Sequence, residues 1–442
     1  MAFNDDADRI QPCPANPAYF QYRGRPVLLL GGSVEDNLFQ IPDIVEQLDL
    51  LASVGGNYVR CTMSSRDEGN VWPFERDTGT GLYDLDSPGR EFWRRFATFL
   101  DLTAERDIIV QIEVWATFDF YRDCWDANPF NPRKNVNYTA AASGLPEVVA
   151  THPTKTENNF FWSVPAEGNQ PVVLRYQQAF VDKLLSISLD HGHVLYAMDN
   201  ETSVTPAWGA YWSGYIKSAA ARRGLRVETT EMWDPHDLSH PMHAHTIDHP
   251  ETYSFVDLSQ NNHQKGQGHW DNAAAARARV AAAGLRPMTN VKIYGADTGR
   301  FGDARDGQER FWRNIFNGFA SARFHRPPSG LGISPTAQAH IRSLRMLTDA
   351  IDPFASRPAN DLLTGRADNG AYCFANPPAS WAIFFPDGGE VTLDTSASAD
   401  PLQLRWLDIL QSTWLPPQPA SGPALRLTCP APGYWAVLAK TE

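Results

Sequence analysis

HVLYAMDNET, residues 193–202, carries five apolar or aromatic side chains in a row, Val194 to Met198, straight into Asp199-Asn200-Glu201-Thr202. A continuous apolar run, unlike an alternating one, is the mark of a parallel strand covered on both faces. Upstream, VVLRYQQAFVDKLLSISLDHG (172–192) spaces its apolar residues as a helix does and stops at a glycine. Downstream, AWGAYWSGYIKSAAARRG (207–224) does the same. A buried strand between two helices is the repeating unit of a parallel α/β sheet.

The same unit recurs on both sides. Strands are predicted at 26–32, 57–63, 108–115, 193–200, 226–233, 253–260, 290–297 and 322–327. Helical spacing falls at 41–55, 91–107, 172–192, 207–224, 272–284 and 307–322, whereas the Pro- and His-rich segment 234–252 gives no helix. Eight such strands predict a closed (β/α)₈ TIM barrel over 26–354, preceded by a hairpin lead-in at 1–25. No Gly-rich phosphate loop follows the first strand, so nucleotide folds lose support. The connections 64–90 and 116–171 after strands two and three are long and the helix-to-strand returns short. That is the asymmetry of an enzyme barrel.

From 355 to 442 the pattern changes to short strands separated by Pro, Gly, Asn and Asp turns, with a hairpin signal at Asp387-Gly388-Gly389. This predicts a small antiparallel β-sandwich with a structural or assembly role, its Trp381, Trp406 and Trp435 packed inward.

The chain has 442 residues and a net charge of −13 without a basic block, which argues against nucleic acid or an anionic membrane as partner. No apolar run approaches a membrane span and the start is polar, so a cytoplasmic location is expected. Five scattered cysteines suit a reducing compartment and disfavour a Cys-ligated metal. Fourteen tryptophans favour sugar stacking. Seven of the twelve histidines fall between His236 and His269, but their spacing matches no zinc motif and three prolines interrupt them. No metal and no cofactor are expected.

Glu201 ends strand four, where a buried acid needs a partner or a task. Asn200-Glu201 stands where many sugar-cleaving barrels keep their acid/base. NPAYFQYRGRPVLLLGGSVEDNLF (16–39), Asn57 and Arg60 in GGNYVRCT, and VDLSQNNHQ (256–264) complete the pattern. The chain resembles the (β/α)₈ glycoside hydrolases with an acid/base after strand four and a nucleophile on strand seven. Within them it is most similar to the apiosidase-like family, which adds a small β-domain. The resemblance implies that Asn200 binds the sugar 2-hydroxyl, that Arg60 supports the nucleophile, and that Glu201 stands where the family has an Asp.

One departure is notable: laid on strand seven of that family, RPMTNVKIYG (286–295) puts Lys292 at the nucleophile's place. Three readings follow: Asp297 serves from a shifted position, Glu231 at the end of strand five partners Glu201, or the second carboxylate is missing and the protein binds sugar without cleaving it. Each residue has a structural alternative as well: a barrel salt bridge for Glu201, a helix cap or Asx turn for Asp297, a hydrogen-bond acceptor role for Glu231. Glu113, Trp115, Trp233, His263, Tyr294 and His325 are the further substrate-binding candidates. Lys292, Arg323 and Arg326 suit an anionic sugar, although pairing with carboxylates inside the barrel explains them equally well. The expected function is exo-acting hydrolysis of plant or bacterial oligosaccharides, with Glu201 as a proton donor of raised pKa. The alternative is a non-catalytic sugar-binding protein. A homo-oligomer is compatible with either.

Overall fold

The computed structural model describes residues 6–151, 158–298 and 301–441. Its centre is a curled parallel sheet. Strands β1 (Leu29–Gly32), β2 (Tyr58–Thr62), β3 (Ile109–Ala116), β4 (Val194–Asn200), β5 (Thr229–Thr230) and β8 (Ser321–Phe324) pair in the order β5-β4-β3-β2-β1-β8. β6 (Val256–Asp257) and β7 (Met288–Thr289) form a separate parallel pair. A parallel bridge between Ile293 and Phe324 ties the segment after β7 to β8. One backbone bond, Ser254 N to Thr229 O at 3.0 Å, joins the segment before β6 to β5.

The strands on the β5–β7 side are shorter than their apolar runs predict, for a physical reason. Hydroxyl and carboxylate side chains take the amides that a ladder would use: Thr230 accepts from Asp257 N, Ser259 from Val291 N, Ser321 from Asn290 N, and Glu231 from both Asp199 N and Met232 N. The amides are satisfied, but the two-residue ladders stop there.

Helices α1 (Ile44–Ser53), α2 (Arg90–Glu105), α3 (Pro171–Ser188), α4 (Pro206–Arg222), α5 (Gly266–Gly284) and α6 (Ala304–Phe316) lie where helical spacing predicts them, within a turn or two at the ends. The sequence reading omits a seventh, α7 (Pro335–Ala350), which begins with Ser334 accepting from Ala337 N. Segment 234–252 contains two short turns, Pro241–His243 and Ala244–Ile247.

Strand contact is closest at Gly31, which pairs with Tyr58. A Cβ there would sit 1.8 Å from the Tyr58 carbonyl oxygen. Backbone cannot step aside as a side chain can, so Gly31→Ala is expected to destabilise by about 3 kcal/mol or to prevent soluble folding. Urea unfolding measures it, and a midpoint unchanged from the parent would refute this account of the β1–β2 seam.

The C-terminal residues form two antiparallel sheets, one of seven strands and one of three. Alternation along Ser380–Phe385 serves two cores. Phe384 stacks on Trp312 of α6 at 5.0 Å, while Ile383 and Phe385 join Val391, Leu393, Leu425 and Leu427 from the smaller sheet. Trp381, Trp406 and Trp435 are buried in this second cluster.

Candidate functional site

A cavity of about 420 Å³ opens at the carboxyl ends of the strands. Asp36 lines it after β1, Arg66 after β2, Phe118 and Tyr121 after β3, Asn200 and Glu201 at β4, Lys292 and Tyr294 after β7, and His325 and Arg326 after β8. The loops that sequence reading marks as long supply one wall. This is the size range and position of a small-ligand site.

Glu201 is the first residue past β4, and its backbone is left-handed at φ +55°. A non-glycine residue there costs of order 1–3 kcal/mol and persists only where its surroundings enforce it. Thr117 contributes, its hydroxyl donating to the Asn200 carbonyl at 2.8 Å and to that of Glu201 at 3.3 Å. The turn delivers a nearly buried carboxylate to the cavity floor. There Oε1 accepts from the Lys292 ammonium and, at 3.0 Å, from the Tyr294 hydroxyl. Lys292 Nζ also donates to Asn200 Oδ1 at 3.1 Å.

Burial alone raises the Glu201 pKa, but Lys292 and then Arg60 outweigh it and bring it down to about 2. Glu201 is therefore a carboxylate at neutral pH. The raised pKa expected of a proton donor is corrected: the cation at the strand-seven position holds the acid ionised. Burial in turn lowers the pKa of Lys292 against the pull of Glu201, with Arg60 adding to the effect. The result is an ionised Glu201 facing an amine that gives up its proton more readily than a surface lysine.

Behind this pair lies a buried ionic frame. Arg60, fully buried, donates to Asp36 Oδ1 at 2.9 Å and Glu113 Oε2 at 2.7 Å, and Thr62 donates to the same Glu113 oxygen at 2.7 Å. Arg66 and Arg326 each reach Asp36 Oδ2 at 3.1 Å. Burial raises the Asp36 pKa, but Arg60, Arg66 and Arg326 together hold it well below the usual range. Burial and nearby cations push His325 well below an ordinary imidazole, so it is neutral. Most of the cavity's arginines are thus neutralised where they stand, so local basicity does not by itself select an anionic sugar.

Of the sequence candidates, Asn200, Glu201, Lys292, Tyr294, His325 and Arg326 share the cavity. The others lie elsewhere. Arg60 and Glu113 pair beneath the floor. Asp297 is exposed and accepts from Ala304 N at 3.3 Å, off the cavity wall. Glu231 is sealed from solvent. Burial and its neighbour Asp199 raise its pKa, and a Cβ added to Gly209 would meet its Oε2 at 2.3 Å. Trp115 packs among Phe130, Phe160, Phe180, Trp208 and Trp212. Trp233 is buried and donates to Thr246 Oγ1 at 2.8 Å. Arg323 donates to the Val291 carbonyl at 2.7 Å and to Ser33. His263 stands one ring away, stacked with His236 at 4.4 Å and touching Phe301, which stacks on Tyr294.

Sequence reading missed Asp36, Arg66 and Tyr121. The signal for Asp36 was present, an acid four residues past strand one, but nothing in sequence showed three guanidiniums converging on it. Among the described residues no group of three or more His, Cys, Asp or Glu is arranged to hold a metal ion, and no helix is long and apolar enough to cross a membrane.

The buried acids also set a pH dependence. Burial raises Asp119 from 3.8 to about 6, with Arg66, Ser64 and Ser65 only partly opposing. A raised folded pKa means that its stabilising contribution is complete below about 4 and lost as pH rises through about 6. Asp119→Asn is therefore expected to raise the melting temperature at about pH 8 and to give no gain at about pH 4. An equal shift at both would refute the assignment.

No family model matches the chain, and no curated protein matches it. Solved structures share its fold. A glycoside hydrolase family 5 protein from Bacteroides vulgatus is 11% identical with a TM-score of 0.68, over 98% of this chain and 93% of its own. An alpha-amylase from H. orenii is 13% identical at 0.56, over 94% and 98%. A family 5 mannosidase from Rhizomucor miehei is 11% identical at 0.51, over 73% and 86%. The likeness is one of fold, shared with these three solved glycosidases.

Proposed function

We propose that this protein hydrolyses a glycosidic bond in the cavity at Glu201, on a closed (β/α)₈ barrel whose C-terminal sheets form a sandwich. One observation carries the reading: a strained, nearly buried carboxylate at the end of β4 forms the floor of a cavity suited to one or two sugar units. Because Lys292 keeps Glu201 ionised, its role is that of the attacking carboxylate or of the base that activates water, and the ammonium is the proton donor beside it. Asn200, Tyr294 and His325 orient the sugar hydroxyls. The long loops after β2 and β3 wall one side of the cavity with Arg66, Phe118 and Tyr121, which favours attack at a chain end, and the resemblance to the apiosidase-like family favours plant or bacterial oligosaccharides.

The non-catalytic alternative rests on the same lysine, since it occupies the place where a second carboxylate is expected. A panel of aryl glycosides and oligosaccharides separates the two. Turnover of any member supports hydrolysis, whereas saturable sugar binding without release of aglycone supports the binding protein.

A further inference from the structure

Lys292 differs from the chain's exposed lysines in three observable ways. Its amine is almost wholly buried, it opens on a cavity wide enough for a small ligand, and it touches a carboxylate that is itself bonded to a second group able to move a proton, the Tyr294 hydroxyl. Glu201 Oε1 accepts from the amine and from the Tyr294 hydroxyl, and Asn200 Oδ1 fixes a second N–H direction. Nζ stands 5.4 Å from the Tyr294 ring centroid. A carbohydrate hydrolase has no requirement for a nucleophilic amine, and the hydrolytic reading uses Lys292 only as a charge and a proton donor.

We propose that Lys292 captures the open-chain carbonyl of a hydroxyaldehyde or hydroxyketone as a protonated imine, with Glu201 as the proton relay. An amine desolvated and set beside other cations is the kind that forms such adducts. Arg60 supplies that cation here, lowering the affinity of Lys292 for its proton. The ammonium gives one proton to Glu201, and the freed lone pair forms a bond to the carbonyl carbon. The carbonyl oxygen takes the proton held by Glu201 and becomes a hydroxyl. A second proton passes from nitrogen through Glu201 to that hydroxyl, which leaves as water while the C=N bond forms. One ammonium and one carbonyl thus give one iminium and one water, with no co-reactant. The iminium withdraws electrons from the adjacent carbon, so bonds to that carbon become labile, which suits an isomerisation or a carbon–carbon cleavage of a reducing sugar.

The proposal shares the cavity with the hydrolytic reading but does not depend on glycosidic cleavage. Hydrolysis is scored on glycosides whose carbonyl is locked as an acetal, so the two readings fail separately. The test incubates the full chain with glycolaldehyde and cyanoborohydride, which reduces an imine to a stable hydroxyethyl amine, and maps peptides by mass. Lys265 and Lys440, both exposed, are internal references. Labelling of Lys292 at least about tenfold faster than either is expected. Labelling of the references with Lys292 unmodified, or equal rates at all three, overturns the proposal. Glu201→Gln is expected to slow labelling at Lys292 about tenfold or more and leave Lys265 unchanged. An unchanged rate at Lys292 overturns the relay.

Discussion

Glu201→Gln is expected to lower kcat on any glycoside this protein cleaves by on the order of 10³-fold, with KM changed little. The amide keeps the shape and can still accept from Lys292 and Tyr294, so the sugar finds the same cavity. What disappears is the negative charge that stabilises a developing oxocarbenium ion or takes a proton from water. The neighbouring cation makes a second, sharper expectation. Lys292 is the largest of the influences that lower Glu201 to about 2, while burial opposes it. Lys292→Met leaves burial to act with less opposition, so the Glu201 pKa rises and the acidic limb of the activity profile moves to higher pH. A profile measured from about pH 3 to 8 on both proteins checks this. An unmoved acidic limb in the Lys292→Met protein would mean that Glu201 is not the group whose ionisation governs activity.

That coupling also marks the boundary of what the sequence made legible. The β1–β4 half was readable because its strands are continuous apolar runs with glycine-terminated helices between them, and the ladder follows those runs. The β5–β7 half was readable as elements but not as ladders. Serine, threonine and glutamate side chains there compete for backbone amides, and only the fold decides which one wins. In the site, Glu201 was found because an acid ending a buried strand is conspicuous. Asp297 was placed there because it is the nearest acid to Lys292 in sequence, yet five residues along a chain leaving a strand carry it to the surface. Glu231 and Trp115 share another failure. Position at a strand end gives height along the sheet but not which side of the strand faces the cavity, and both point into packed interior.

The buried pair of Glu231 and Asp199 illustrates the difference. Asp199 Oδ2 accepts from Trp208 at 2.7 Å, and Glu231 Oε1 accepts from two backbone amides. Burial first raises both; repulsion from Glu113 adds to it at Asp199, and repulsion from Asp199 adds to it at Glu231. They have the raised pKa that the sequence reading assigned to a catalytic acid, but they hold the β4–β5 seam together away from the cavity. Perturbed ionisation marks structure here as strongly as function.

The largest stability effect is expected at Arg60. Its guanidinium is fully buried and bridges Asp36 and Glu113, themselves almost entirely buried. Removing one member of such a set leaves uncompensated charge in a low dielectric, at a cost of about 3–5 kcal/mol. The two acids are not equally exposed to this loss. Asp36 keeps Arg66 and Arg326, whereas the hydrogen bonds of Glu113 reduce to that from Thr62 Oγ1 at 2.7 Å. Arg60→Met should therefore be destabilising chiefly through Glu113, and adding Glu113→Gln should recover more than about 1 kcal/mol, a non-additivity that urea unfolding of the two single variants and the double variant measures. Strict additivity would show that the two side chains do not share one electrostatic unit. The same substitution reaches the cavity, because Arg60 also lowers the pKa of His325 and Glu201. Without it both should titrate at higher pH, so a frame residue that never meets the sugar would still move the activity profile upward. If stability falls while the profile stays in place, Arg60 braces the parallel sheet without tuning the groups in the cavity.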